Sequence, residues 1–242
     1  MERWRGFLLV AVLLAMAGVP LAAEGAQVTA QLEANRMRVV VDIDGERFTC
    51  YKYGSLQKYP HFWPVKGPTS GKSVTTETSW PYPHHHSLFF GCDRVNGGNY
   101  WQEGNERGQI LSQGPTIHAA EGDCVLFEDR CLWKRPQHEP VFEDRRYVLI
   151  HAPGPDLRVI DMTIRLTALV DVEILNTNHA LFSARMVPEL SVRAGGTLIN
   201  ANGQSGEKAT FGEPAPWADY SGARNGQTEG LAILQAPTNP WY

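Results

Sequence analysis

The stretch LRVIDMTIRLTA, residues 157–168, alternates apolar and polar side chains along its length. Every second position is apolar: Ile160, Met162, Ile164, Leu166 and Ala168. The positions between them are polar or charged: Asp161, Thr163, Arg165 and Thr167. A period of two is the mark of a strand with one face in the core and the other in solvent. The pattern therefore predicts a half-buried β-strand over residues 157–168.

Similar strand signals lie on both sides of this stretch. Residues 36–43 are β-branched, and the following Asp44-Gly45 is a tight-turn signal that would return the chain as a hairpin over 46–53. Further strands are predicted over residues 123–133, 146–151 and 170–175. Twenty-three glycines and 16 prolines separate these short runs, and helical periodicity is nearly absent. We expect an all-β fold, a large antiparallel two-sheet sandwich forming a single domain over residues 24–242.

The first residues have the layout of a cleavable secretory signal peptide. Arg3 and Arg5 precede an apolar run over residues 7–17, and small residues follow near position 23. The alternative is a transmembrane anchor, but residues 7–23 are interrupted by glycine and proline and fall short of the roughly 20 residues that a span needs. We expect a signal peptide over residues 1–23, export to the periplasm or medium, and no membrane span after cleavage. The net charge of −4, without a basic run, argues against nucleic acid as a partner.

The four cysteines are Cys50, Cys92, Cys124 and Cys131. An exported compartment permits disulfides, and four cysteines allow three pairings between which the sequence does not choose. Cys124 and Cys131 are close enough in the chain to staple a short turn. The alternative is that all four are buried free thiols.

Residues 59–105 form a long, loop-like stretch that is rich in aromatic and ionisable side chains. It contains three consecutive histidines, His84, His85 and His86, together with His61, Glu77, Asp93 and three tryptophans. Aromatic faces stack on sugar rings while carboxylates and amides bind the hydroxyls, so the mixture suits a carbohydrate site. The equally weighted alternative is that the aromatic residues belong to the core.

The backbone conformation of the histidine triplet decides which of its side chains point in the same direction. On an extended strand His84 and His86 would point to one side and His85 to the other. His84 and His86 would then either hold one divalent metal ion, with a third ligand from His61, Glu77, Asp93 or His179, or act in acid–base chemistry. A purely structural role is the third alternative.

A second chemistry-rich stretch covers residues 176–222. Arg185 and Glu189 lie four positions apart, so on an extended chain they would face the same side, as ligand-binding groups or as a surface ion pair. Trp217, Asp219 and Tyr220 place an indole, a carboxylate and a phenol within four residues, which suits either a ligand wall or a packed loop.

Five segments together resemble the PmoA-like family of exported bacterial proteins. They are YPHFWPVKGPTSGKSVTTE (59–77), PHHHSLFFGCDRVNGGNYW (83–101), ALFSARMVPEL (180–190), GTLINANGQSGEKATFG (196–212) and PWADYSG (216–222). The resemblance runs from about residue 35 to the end of the chain, and the histidine run followed by Phe-Phe-Gly and Val-Asn-Gly is its most specific motif. It implies a sandwich related to those of sugar mutarotases and a carbohydrate-related role. The family name comes from a methane oxygenase subunit, which is a membrane protein. This chain does not resemble that subunit, because it has no apolar span after its first residues.

The resemblance also implies that the family pattern continues beyond Asn239-Pro240-Trp241-Tyr242 into a further arginine-containing segment, so that this chain would lack its last strand. Our leading hypothesis is a hydrolase or isomerase acting on a sugar or modified sugar. The candidate catalytic residues are His84, His86, Glu189 and Asp219, and the candidate ligand-binding residues are His85, Asn96, Arg185, Trp217 and Tyr220. The alternatives are a non-catalytic module that binds an oligosaccharide and, less favoured, a metal-dependent oxidase. A divalent metal ion on His84 and His86 is compatible with the catalytic hypothesis.

Overall fold

The computed structural model describes residues 25–239 except 79, 81, 103, 178 and 180. The signal peptide expected over residues 1–23 lies outside these residues. Within them, the strands are β1 (Val28–Glu33), β2 (Arg38–Ile43), β3 (Glu46–Lys52), β4 (His61–Val65), β5 (Leu88–Phe90), β6 (Asp93–Val95), β7 (Gly98–Asn99), β8 (Gln109–Ser112), β9 (Thr116–Ala119), β10 (Glu121–Gly122), β11 (Cys124–Lys134), β12 (Phe142–Gly154), β13 (Leu157–Ala168), β14 (Phe182–Ala184), β15 (Thr197–Asn200), β16 (Trp217–Arg224) and β17 (Gln227–Leu234).

Helical structure in the described residues is limited to single turns. The helix α1 spans Glu207–Thr210, and 3-10 turns lie at Ala34–Arg36, Asn105–Arg107, Pro188–Leu190 and Val192–Ala194. No helix among the described residues has the length and apolarity that a bilayer crossing requires.

Two antiparallel sheets form the sandwich that the alternation predicts. The first sheet has the strand order β10-β1-β2-β3-β4-β5-β14. The second sheet has the order β13-β12-β11-β8, and β9 also pairs with β11. A third, smaller sheet follows the order β15-β16-β17, and β6 and β7 form a separate hairpin. The fold is therefore all-β, as expected.

The main core lies between the inner faces of the first two sheets. Val39 and Phe62 from the first sheet join Val125, Phe127 and Val148 from the second in one buried cluster. Along β12 every second residue from position 142 to 152 is buried, while the residues between them are partly exposed. The period-two pattern thus sets which side chains meet between the sheets.

The core also contains polar side chains that are fully paired. Arg146 is completely buried, and its Nε and Nη2 donate to the two carboxylate oxygens of Asp144 at 2.7 and 2.9 Å. The indole Nε1 of Trp133 donates to the same carboxylate at 2.6 Å. A second contact crosses the sandwich, where the hydroxyl of Tyr51 donates to Oδ2 of Asp129 at 2.7 Å. Buried charges of this kind are tolerated only when each keeps its partners.

The hairpin predicted at Asp44-Gly45 is confirmed. It joins β2 to β3, and the φ angles of Asp44 and Gly45 are 52° and 78°. Positive φ at both central residues is the requirement of the tight turn that matches the twist of two antiparallel strands. The strand predicted over residues 157–168 is β13, which pairs with β12 in regular register from Phe142↔Ala168 to His151↔Val159.

Two other expectations are wrong. Residues 170–175 do not form a strand; they make only an isolated bridge between Ile174 and Val95 and are largely exposed. Cys124 and Cys131 do not staple a turn, because both lie on the one extended strand β11, where seven residues span roughly 23 Å. All four cysteines are free thiols, and three of them are buried.

Candidate functional site

The histidine triplet lies in a turn rather than on a strand, so the expected alternation of its side chains is wrong. The amide of His85 donates to the carbonyl of Tyr82 at 3.1 Å, and Ser87 adopts a φ of 54°. Ser87 is buried, and its hydroxyl lies 2.7 Å from that of Thr75. This tight turn before β5 gathers all three imidazoles, each half-buried, at one place.

A carboxylate and a second histidine lie beside His86. Nε2 of His61 lies 3.0 Å from Oε1 of Glu77, and the ammonium of Lys52 contacts the same oxygen. These hydrogen bonds from His61 and Lys52 hold the pKa of Glu77 at about 2, below its ordinary value of 4.5. The ring of His86 stacks on that of His61 at 5.1 Å. Glu77 is therefore ionised, and its carboxylate holds the ring of His61 in place.

The tautomer of His86 follows from its hydrogen bond. Its Nδ1 lies 3.0 Å from the carbonyl oxygen of Glu77, which can only accept a hydrogen bond. In the neutral imidazole the proton therefore sits on Nδ1, and Nε2 is the basic nitrogen.

A second carboxylate–imidazole pair lies near the triplet, and the ring of Trp101 contacts both. Nδ1 of His179 lies 2.9 Å from Oδ2 of Asp93, a carboxylate that is 3% exposed. The other oxygen of Asp93 is buried and has no hydrogen-bond partner among the described residues. The ring of His179 stacks on Trp101 at 4.2 Å. Asp93 thus orients His179 with its proton on Nδ1, in the way that a carboxylate orients a catalytic histidine.

Trp101 connects this pair to the triplet. Its ring centroid lies 5.6 Å from that of His84 and 5.1 Å from that of His85. Tyr82 stacks on the ring of His85 at 5.1 Å. We refer to His61, His84, His85, His86 and His179 as the histidine cluster.

Arg185 lies beside the triplet, and its ligand-binding role stays a prediction. It follows β14, and its amide donates to the carbonyl of Ser87 at 2.6 Å while its own carbonyl accepts from Thr76 at 3.0 Å. The pKa of His85 is lowered to about 4, first by burial and then by the neighbouring His84 and Arg185. His85 is therefore neutral at physiological pH, beside a permanent positive charge.

The other candidate residues lie elsewhere. Glu189 does not pair with Arg185; it accepts from Nη2 of Arg224 at 2.7 Å, and Arg224 also pairs with Glu229 at 3.0 Å. Asp219 accepts a hydrogen bond from Ser221, and the hydroxyl of Tyr220 accepts from the amide of Val192 at 3.0 Å.

Trp217, 38% exposed, begins β16 in the third sheet, which also contains Asp219 and Tyr220. No described contact joins Glu189 or these three residues to the histidine cluster, so their catalytic or ligand-binding roles stay predictions.

Asn96 has a structural position in the described contacts. Its amide nitrogen donates to the carbonyl of Asp171 at 2.8 Å, and its oxygen accepts from the amide of Glu173 at 2.7 Å. It holds residues 171–173 against the β6–β7 hairpin, which also explains why this segment does not pair as a strand.

The metal site predicted on His84 and His86 has no third ligand among the described residues. In that part of the chain no group of three or more His, Cys, Asp or Glu side chains is arranged to hold a metal ion. His61 and Glu77, two of the expected ligands, are instead hydrogen-bonded to each other. Asp93 and His179, the other two, form the second pair.

Comparison with protein families gives one match, to a family of unknown function, DUF6807, over residues 38–242. The chain belongs to DUF6807. No curated protein and no solved structure matches it. The DUF6807 region contains the whole histidine cluster and both carboxylates that orient it. The resemblance to the PmoA-like family stays a prediction.

The sequence did not predict that four residues of this DUF6807 chain, all named as possible third metal ligands, would pair with one another. His61, Glu77, Asp93 and His179 form the two carboxylate–imidazole pairs, and the members of the second pair are 86 positions apart. The local signal was that each carboxylate lies in the same loop-like stretch as the triplet. The pairing of Asp93 with His179 depends on the antiparallel contact between β14 and β5, which no local sequence pattern specifies.

Proposed function

We propose that the histidine cluster binds a sugar or modified sugar and transfers protons on it, as a hydrolase or isomerase. The observation that supports this is that His86 and His179 are each held at Nδ1 by an oxygen acceptor. Each neutral ring then has Nε2 as its basic nitrogen, which is the arrangement of a general base. His86 and His179 both act electrostatically on His85. A ligand that contacts both rings could give a proton to one while the other, protonated, donates one.

Sugar ring opening illustrates how the two groups would act. One imidazole takes the proton of the anomeric hydroxyl, and the C–O bond to the ring oxygen breaks as the carbonyl forms. The other, as imidazolium, gives its proton to the ring oxygen, so that the site gains and loses one proton. Arg185 would bind a hydroxyl or carboxylate of the sugar through its planar fork of donors. Neutral His85 would bind hydroxyls without adding charge.

The test is anomer exchange of D-glucose and D-glucuronate, measured by two-dimensional exchange NMR with and without the protein. We expect faster exchange of at least one sugar, lost in a His86→Ala/His179→Ala double variant. His118→Ala is the matched control, because His118 is exposed on β9 and pairs only with Glu128 among the described residues. If both sugars exchange at the uncatalysed rate and neither shifts the imidazole resonances of the protein, the proposal that the cluster binds sugars is wrong.

A second candidate is a non-catalytic glycan-binding module. It is favoured by Trp80 and Tyr82, aromatic side chains that are 90% and 50% exposed directly before the triplet. Exposed aromatic rings of this kind stack on sugar faces. Sugar binding that survives a His84→Ala/His86→Ala double variant, without turnover by the wild type, would favour the module over the enzyme.

We also propose that the protein is exported. The support is the basic start of the chain, Arg3 and Arg5, followed by an apolar run over residues 7–17. Mass spectrometry of protein expressed with its natural start, recovered from periplasm and medium, tests this. A chain that still begins at Met1 and stays inside the cell would contradict it.

A further inference from the structure

We infer that β13 is a dimerisation strand, which pairs antiparallel with β13 of a second copy of this chain. β13 is the outer strand of the second sheet and has twelve residues. The outer strands of the first sheet, β10 and β14, have only two and three residues. Proteins commonly protect outer strands by shortness, proline or bulges, because a long regular edge pairs readily with another strand.

β13 is not short and contains neither proline nor a bulge within Val159–Ala168, and the charged residues that it carries there, Asp161 and Arg165, are opposite in sign. Its register with β12 is regular from Ala168 to Val159, with the irregularity confined to the turn beyond. Its inward-facing side chains are also less covered than those of β12. Every second residue of β12 is buried, whereas the apolar residues of β13 are only half-buried: Ile160, Met162, Ile164 and Leu166.

The sequence of β13 is self-complementary about Thr163. In an antiparallel pair with Thr163 opposite Thr163 of the second copy, Asp161 of each copy lies opposite Arg165 of the other. Ile160 then faces Leu166, and Met162 faces Ile164, so that apolar residues meet apolar ones on the inner side. Opposite charges directly across an antiparallel pair are stabilising, and like charges are destabilising.

The position of Arg165 within one copy also favours a second copy as the partner of β13. Arg165 stands directly opposite Arg145 of β12, a like charge, and no salt bridge to Arg165 occurs among the described residues. Arg145 is already engaged by Glu128 and Glu143. Asp161 contacts Nε2 of His151 at 3.4 Å, but its side chain stays 64% exposed, so in a second copy it can also supply a carboxylate to Arg165. A second copy is therefore the occupant that the pattern of this edge fits.

The test is the self-association of the full chain, measured by sedimentation velocity over a concentration series. We expect a monomer–dimer equilibrium that Asp161→Arg weakens roughly tenfold or more, because it turns two attractive cross-strand pairs into repulsive ones. The swapped variant Asp161→Arg/Arg165→Asp restores both pairs and the dimer. Glu139→Arg, an equal change of charge in the exposed loop between β11 and β12, leaves association unchanged.

Hydrogen exchange gives an independent measurement of the interface. The backbone amides on the open edge of β13 are expected to become protected as the concentration passes through the dimer range, while those of the β17 edge do not. A monomer at all concentrations, a dimer that Asp161→Arg leaves intact, or a swapped variant that stays monomeric while folded would overturn the inference. These outcomes are independent of whether the histidine cluster acts on sugars.

Discussion

The buried pair of Asp144 and Arg146 provides the sharpest test of what holds the sandwich together. We expect Asp144→Asn to remove the carboxylate that is hydrogen-bonded to the fully buried guanidinium of Arg146. Removing one partner of a buried ion pair costs about 3–5 kcal/mol of the free energy of unfolding. The lower end applies here, about 3 kcal/mol, because the amide oxygen of asparagine still accepts one of the hydrogen bonds that Asp144 now receives. For a chain of this size the melting temperature would fall by roughly 6–12 °C.

The neighbouring residue gives a matched control for this prediction. Glu143 lies next to Asp144 on β12, but it faces outward and pairs with Arg130 at the protein surface. Glu143→Gln removes the same charge and should leave the melting temperature close to that of the wild type. The assays are thermal unfolding and equilibrium unfolding in guanidinium chloride, each followed by far-UV circular dichroism, which give the melting temperature and the free energy of unfolding. Asp144→Asn and Glu143→Gln proteins of equal stability would refute the argument from burial.

Three further predictions concern the site and the third sheet. The pKa of Glu77 is depressed from 4.5 to about 2. Its contribution to the free energy of unfolding is therefore complete above pH 4.5 and is lost as the pH falls towards 2. Glu77→Gln should flatten the dependence of the free energy of unfolding on pH, measured over that range. Removing the nearby positive charge with Arg185→Gln should raise the pKa of His85 above its value of about 4, and an unchanged value by NMR titration would place Arg185 away from the cluster. A side chain at Gly196 would collide with backbone oxygens of the neighbouring turn and strand, so Gly196→Ala should lower the melting temperature, whereas Gly154→Ala, which has open space around it, should not.

The sequence predicted those parts of the fold that depend on local patterns. Alternation over residues 157–168 defined β13, and Asp44-Gly45 defined the β2–β3 hairpin, because side-chain period and turn chemistry act within a few residues. The same local reasoning failed over residues 170–175, since the β-branched composition is outweighed there by hydrogen bonds from Asn96.

The candidate site was predicted only in part. The triplet and Arg185 come together as expected, but through a turn that depends on the buried Ser87 and on its backbone bond to Arg185. Of the two alternatives for Arg185 and Glu189, the ion pair between them does not form, because Glu189 pairs with Arg224, on a strand 35 positions further along the chain. Partners brought together by tertiary pairing leave no periodic signal in the sequence.

The way in which β14 completes the site has a consequence for the order of folding. Hairpins such as β2–β3 and β12–β13 close short loops and can form early, whereas β5 and β14 join segments that are separated by about ninety residues. His179 and Arg185 flank β14, so the cluster is assembled only after this distant contact has formed. A molecule that binds the cluster would therefore favour the last stage of folding and slow the first stage of unfolding, and kinetic protection against proteolysis would reveal such a molecule before its chemistry is known.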